Sequence, residues 1–339
     1  MTPPNDQNHA VEEDGPFQDV LLEIRGLRTY VASSGQIGRA VDGVWLDAHR
    51  GETLGIVGES GSGKSLTALS IMRLHGENAE VVGGQILYEG TDLLKLSDDQ
   101  MRAFRGARIG YIPQDPMSSL NPVISVGKQI AEPLRWHLGL RGKEARARAI
   151  ELMEMVHIPE AGTRFDSFPH EFSGGMRQRV VGAIALGGQP DLLIADEPTT
   201  SLDVTIQSAY LKLLRELQRK NNLTIIFITH DFGIVANLCD RVAVMYAGRV
   251  VEVGPTDTVL LSPAHPYTQA LLEALPDVAE RTQRLKTIGG QPPSIFRDAV
   301  GCSFAPRCKF RMDICEQEDP SDVALGSNHR ASCFAIGPY

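Results

Sequence analysis

Apolar and polar residues alternate along residues 21–30 and again along 40–47, the period of strands with one face buried and the other in water. Short, nearly unbroken apolar runs at 53–57, 192–195 and 224–229 are too short for helices, and they read as fully buried parallel strands. Residues 85–90 and 106–114 carry weaker strand patterns, and 242–254 reads as a hairpin turning at Ala247 and Gly248. Helical spacing marks 66–72, 143–155, 180–186 and 207–217, and 255–275 reads as helix again. The block 125–158 has helical signals and no strand pattern. The order predicts an α/β core with an antiparallel β subdomain ahead of it and an α-helical insertion over about 115–185.

The loop between the first buried strand and its helix is Gly58-Glu59-Ser60-Gly61-Ser62-Gly63-Lys64-Ser65, which fits the phosphate-binding pattern G-x-x-x-x-G-K-[ST]. Glycines let such a loop wrap a polyphosphate with its amides, and the helix dipole behind it favours an anion. A triphosphate is the natural ligand, cradled by Gly58, Ser60, Gly61, Ser62, Gly63, Lys64, Ser65 and Leu66. Lys64 reaches the β and γ phosphates, and the Ser65 hydroxyl ligates magnesium. The fold implied is a P-loop NTPase.

Other chemistry sits at strand ends. Asp196 and Glu197 follow the apolar run at 192–195, where open α/β sheets bind their ligands. Asp196 is placed to hold magnesium, through water, and Glu197 to polarise an attacking water. His230 ends the next buried strand and faces the same edge, although a histidine there, taken alone, is more often structural. Gln114 opens a loop rich in turn formers. Ser173-Gly174-Gly175 stands directly at a helix start, either as a second anion-binding element or as an N-cap with a tight turn. Tyr30 either faces a nucleotide or is an ordinary strand aromatic.

At 339 residues the chain has length for two or three domains, and 42% hydrophobic with 22% charged residues is ordinary for a soluble protein. A net charge of −9 weighs against broad nucleic-acid binding. Neither a secretory signal nor an apolar run of bilayer-spanning length is visible, so the expected compartment is the cytoplasm. Residues 1–19 hold five carboxylates and no lysine or arginine, and read as a disordered acidic tail. After Pro276 proline, glycine and cysteine accumulate, marking an appendage in which Cys302, Cys308, Cys315 and Cys333 are separated by five, six and seventeen residues. Four thiolates suit tetrahedral zinc or a 4Fe-4S cluster, with free buried cysteines as the alternative. Cys239 stands apart, as a packing residue.

Taken in order, the phosphate loop from Gly58, Gln114, Ser173-Gly174-Gly175, Asp196-Glu197, Ser201-Leu202-Asp203 and His230 resemble the ATP-binding subunit of an ABC transporter over residues 20–260. His265-Pro266-Tyr267-Thr268-Gln269-Ala270-Leu271-Leu272 and the terminal cysteines, in the extension 261–339, are similar to the D-type ATPase of oligopeptide and dipeptide importers. The resemblance implies a RecA-like core, ATP and magnesium, and a peripheral place on the cytoplasmic face of the membrane. It further implies an F-type partner ATPase, two membrane-spanning permease subunits and an extracytoplasmic substrate-binding protein. It points to 4Fe-4S rather than zinc at the cysteines.

In that family each ATP lies between one subunit's phosphate loop and the other's signature element, so Ser173, Gly174 and Gly175 serve the partner's nucleotide. Glu197 is then the general base, His230 contacts the γ phosphate, Gln114 approaches magnesium and the attacking water, and Asp203 communicates across the dimer. The signature departs from Leu-Ser-Gly-Gly-Gln at Phe172 and Met176, and Met176 cannot donate a side-chain hydrogen bond. Rival expectations are importers of nickel complexes, glutathione or oligosaccharides, and a soluble ABC ATPase without transport.

Overall fold

The unbroken apolar runs become the centre of the molecule because both faces of their strands are covered. In the computed structural model, β1 (Val20–Ser33), β2 (Gln36–His49), β4 (Ala79–Tyr88) and β5 (Thr91–Asp92) form an antiparallel sheet in the order β2-β1-β4-β5. A second, larger sheet contains β3 (Thr53–Val57), β6 (Ile109–Ile112), β7 (Leu192–Asp196), β8 (Thr224–Thr229), β9 (Arg241–Tyr246), β10 (Arg249–Pro255), β11 (Asp322–Gly326) and β12 (His329–Ser332). Its order is β11-β12-β10-β9-β3-β8-β7-β6, parallel from β9 to β6 and antiparallel beyond. Residues 19–200, 202–275, 287–296, 300–326 and 328–336 are described. The acidic stretch before Asp19, Ser201 and the start of the appendage after Pro276 lie outside them.

Every residue of β3, β7 and β8 is buried, and alternate side chains enter two different cores. Leu54, Ile56, Leu192, Ile194, Ile226 and Ile228 pack with the antiparallel sheet and helix Lys64–Met72. Leu193, Ala195, Ile225 and Phe227 pack with the helices of the opposite face. Each of the leucine, isoleucine and phenylalanine side chains contributes roughly 1.5–3 kcal/mol on burial, so slipping one strand by a residue exchanges its two faces between the cores and is strongly opposed.

Between β6 and β7 the chain is helical, with segments Pro116–Ser119, Val126–His137, Gly142–Met155, Ala161–Arg164 and Gly174–Leu186. Two differences from the sequence reading have local causes. The expected helix over 255–275 is two helices, Thr256–Leu261 and Pro266–Glu273, because Pro263 interrupts it and Pro266 starts a new first turn. The short strands β11 and β12 were not visible as patterns, since β11 is largely exposed and offers no apolar face.

Register fixes where the chemistry goes. Asp196 pairs with Ile228, which pairs with Ile56. The phosphate loop, Glu197 and His230 therefore leave the sheet at one level, along the carboxyl edge of the parallel strands.

Candidate active site

The phosphate loop occupies residues 58–63, between the end of β3 and helix Lys64–Met72. Two of its glycines are required by space as well as by conformation. At Gly58 (φ 155°) an added Cβ would lie 2.1 Å from the Met245 carbonyl oxygen, and at Gly63 (φ 101°) 2.5 Å from that of Ala40. Ser60 and Gly61 are exposed at the tip, while Ser62 is buried with its hydroxyl unpartnered among the described residues. Gly63 stands at the helix N-cap and Leu66 is half-buried in the first turn. Lys64 folds over this cradle and donates to the carbonyl oxygens of Gly58 (2.8 Å) and Glu59 (3.0 Å). Burial pushes its ammonium pKa down, and the charges of Glu197, Asp196 and Glu59 partly offset this. A buried cation, an orphaned hydroxyl and a helix N-terminus suit an anionic ligand such as a polyphosphate.

Asp196 stands beside the first turn of the helix that follows the loop. It accepts from the Ser65 hydroxyl (3.0 Å) and from the Tyr111 phenol (3.3 Å). Burial raises its pKa, and these two hydrogen bonds work against that rise. A carboxylate and a hydroxyl side by side are hard oxygen ligands of the kind magnesium takes, so the residues fit the ion.

Glu197 leaves the strand with φ 45°, a left-handed conformation costly for a residue with a Cβ. Its amide bonds the Ile228 carbonyl at 3.0 Å, which holds the turn. Three groups then converge on one carboxylate oxygen, Oε2: the Thr200 hydroxyl at 3.0 Å, Gln114 Nε2 at 3.3 Å and His230 Nδ1 at 3.3 Å. The Glu197 carboxylate is 14% exposed and His230 60% exposed, so the carboxylate is sheltered and its histidine neighbour stands at the mouth.

The remaining candidates lie elsewhere. Ser173 caps helix Gly174–Leu186 by accepting from the Met176 amide at 3.3 Å, and it is exposed, as is Gly174. Gly175 packs so closely on Ile206 that an added Cβ would meet it at 2.5 Å. Among the described residues no hydrogen bond joins Ser173, Gly174 or Gly175 to the phosphate loop of its own chain. Asp203 caps helix Val204–Asn221, accepting from the amides of Thr205 and Ile206. Tyr30 is half-buried and donates to Asp42 at 3.0 Å. The Asp42 amide bonds Gly248, whose amide bonds Ser62, so Tyr30 is linked to the loop through two backbone steps.

With this geometry in place, comparison with known proteins is decisive. Residues 41–200 match the ABC transporter family and 251–315 the oligopeptide/dipeptide transporter C-terminal region. The oligopeptide transport ATP-binding protein OppD of Bacillus subtilis (strain 168) is 47% identical over 320 residues, 94% of this chain and 89% of that protein. The chain belongs to the ABC transporter ATP-binding proteins. The dipeptide transport ATP-binding protein DppD of the same organism is 46% identical over 315 residues, 93% of this chain and 94% of that one. A dimeric ATP-binding cassette solved in a post-hydrolysis state with ADP and phosphate matches with a TM-score of 0.63 and 26% identity, over 69% of this chain and 98% of that one. This ABC protein has the cassette fold and is an ATPase.

Its four C-terminal cysteines come to the wall of one cavity, without closing to a ligating cluster. Cys302, Cys308, Cys315 and Cys333 line one small cavity walled by Phe304, Phe310 and Phe334. The Phe310 amide donates to Cys308 Sγ (3.3 Å) and the Ala335 amide to Cys333 Sγ (3.4 Å). Burial lifts the thiols of Cys308 and Cys333, and that of Cys302 to about 11. Among the described residues no group of three or more side chains is close enough together to hold a metal ion. Cys239 is buried against the sheet, within reach of Gly55.

Two partners of this ABC site escaped the sequence reading. Tyr111 sits opposite Ile194 in the register, on the same face as Asp196, a relation legible only once β6 and β7 are known to pair. Thr200 reaches Glu197 through the left-handed turn, which the residue type at 197 does not announce.

Proposed function

We propose that this ABC ATPase powers peptide import, paired head to tail with a second, F-type ATPase subunit. Two permease subunits and an extracytoplasmic substrate-binding protein complete the assembly, and the chain works at the cytoplasmic face of the membrane. Its dipeptide- and oligopeptide-transport relatives support peptide as cargo. No helix among the described residues is long and apolar enough to cross a membrane, so translocation falls to the other subunits. The observation that carries the reading is the divided site: loop, proposed magnesium ligands and base converge in one chain, while Ser173 and Gly174 stand exposed with no hydrogen bond to them among the described residues.

In this reading Lys64 and the loop amides of Gly58, Ser60, Gly61, Ser62, Gly63, Ser65 and Leu66 bind the β and γ phosphates, and Tyr30 faces the nucleoside. Ser65, Asp196 and Gln114 hold magnesium, which neutralises phosphate charge. Glu197, oriented by Thr200, takes the proton of the attacking water. His230 and Gln114, both on the Glu197 carboxylate before ATP arrives, turn to the γ phosphate and the water. Ser173, Gly174 and Gly175, at the start of a helix, bind the partner's nucleotide, and Asp203 passes its state across the dimer. Glu197→Gln is expected to bind ATP and hold the dimer closed while turnover falls about 10²–10⁴-fold. Retained multiple turnover contradicts the assignment.

The four cysteines are proposed to hold a structural 4Fe-4S cluster, with zinc as the alternative metal. Their lining of one cavity supports this, as do the amides donated to two of the sulfurs, although the four side chains would have to draw closer together to ligate a metal. The raised thiol pKa values mean that loading must displace protons. Anaerobically purified protein is expected to be brown with four irons per chain, by about one cluster per four thiolates; colourless zinc-loaded or metal-free protein contradicts the cluster.

A further inference from the structure

The C-terminal extension touches the phosphate loop. Arg307, in the short turn Ala305–Arg307 between Cys302 and Cys308, forms a two-pronged ion pair with Glu59, the second residue of the loop motif. Its Nη1 lies 2.7 Å from Oε2 and its Nη2 2.9 Å from Oε1. The guanidinium is preorganised: its side chain is 3% exposed, Nε donates to the Gly289 carbonyl at 3.0 Å, and its Cζ lies 5.7 Å from the centroid of the Tyr246 ring and 6.0 Å from that of Phe304. Tyr267, from helix Pro266–Glu273, accepts the Glu59 amide at 2.9 Å. Both the backbone and the carboxylate of Glu59 are therefore held from the extension side. Tyr267 and Arg307 both lie in the stretch matching the oligopeptide/dipeptide C-terminal region.

A carboxylate in a loop that must accept a triphosphate is an electrostatic liability. The Glu59 charge already reaches Lys64, whose ammonium it helps to keep protonated. Left unpaired, the same charge would oppose the phosphates at short range in a partly desolvated site. Sequence position gives no hint of the remedy, because its partner is 248 residues away.

We infer that Arg307 is a positioning residue for nucleotide binding: it neutralises Glu59 and draws it away from the phosphate path, so that the C-terminal extension sets the ATP affinity of the loop. The Arg fork matters, since a lysine ammonium cannot meet both carboxylate oxygens in this geometry. Tyr267 is the backbone half of the same clamp. The inference rests on ATP occupying the phosphate loop.

The test measures ATPase kinetics and equilibrium binding of a fluorescent ATP analogue for the full-length chain in its transporter complex. Arg307→Ala is expected to raise KM and Kd for ATP about fivefold to tenfold, as expected when one partner of a part-buried ion pair is left behind, with kcat within about twofold. Arg307→Lys should fall between the two. Adding Glu59→Gln to Arg307→Ala should bring KM back to within about twofold of Glu59→Gln alone, a rescue that lost packing would not produce. Arg307→Ala with unchanged KM, or a double variant no better than the single, overturns the role of Arg307. Should Arg307→Ala lower the amount of folded complex, KM and the rescue still report on the molecules that remain. Wild-type complex that fails to bind Mg-ATP overturns the nucleotide assignment itself, a failure distinct from the others.

Discussion

The phosphate loop and the Ser173-Gly174-Gly175 element are both glycine-bearing helix starts suited to anions, yet the chain treats them differently. Around the loop most side chains have found a neighbour, the Ser62 hydroxyl apart: Lys64 on two carbonyls, Ser65 and Tyr111 on Asp196, and Thr200, Gln114 and His230 on Glu197. At the other element Ser173 caps its own helix and faces solvent. In the proposed arrangement the first is a site nearly complete in one chain and the second is the half contributed to a partner's nucleotide, so that two chains would have to meet before either nucleotide is enclosed.

The largest effect should come from removing the loop's cation. Lys64→Ala is expected to weaken Mg-ATP binding by the isolated subunit about 100-fold or more, because a charge that bridges two phosphates in a desolvated cradle has no substitute. Fluorescence titration measures it, and near-normal affinity would move the nucleotide elsewhere. Ser173→Arg attacks the other half. It should cut ATPase of the assembled complex about 10²-fold, as loss of a transition-state donor does, with subunit affinity for ATP within about twofold. If affinity fell instead, the element would belong to its own chain's site.

Smaller changes separate the groups around the base from those around the metal. Thr200→Ala removes one hydrogen bond to Glu197 and should lower kcat about threefold to tenfold at constant KM, read from steady-state kinetics. Tyr111→Phe removes the longer bond to Asp196 and should shift the magnesium midpoint of activity by only about twofold, read from a magnesium titration. Equal effects of the two on kcat would mean that the carboxylates do not divide their work.

How much of this the chain announced depended on sequence distance. Gly58 to Ser65, and Asp196 with Glu197, are contiguous signals at the ends of buried strands, and β3 and β8 occupy the residues expected of them. Tyr111 needs the pairing of β6 with β7, and Thr200 needs the left-handed backbone at Glu197. Arg307 needs the whole fold, since only tertiary packing brings it to Glu59. The cysteines were visible as a group, but their shared cavity required the turns at 305–307 and 313–316 to curl the chain back on itself.

The account turns on ATP joining two chains, and a disulfide trap tests it most directly. Ser173→Cys, in a Glu197→Gln background, is combined with a cysteine placed in the phosphate loop of the partner ATPase, and cross-linking is followed with Mg-ATP and with Mg-ADP. The account predicts a cross-link between the two subunits with Mg-ATP that is largely absent with Mg-ADP. Cross-linking that is independent of nucleotide, or no inter-subunit product while ATP is bound, would contradict it.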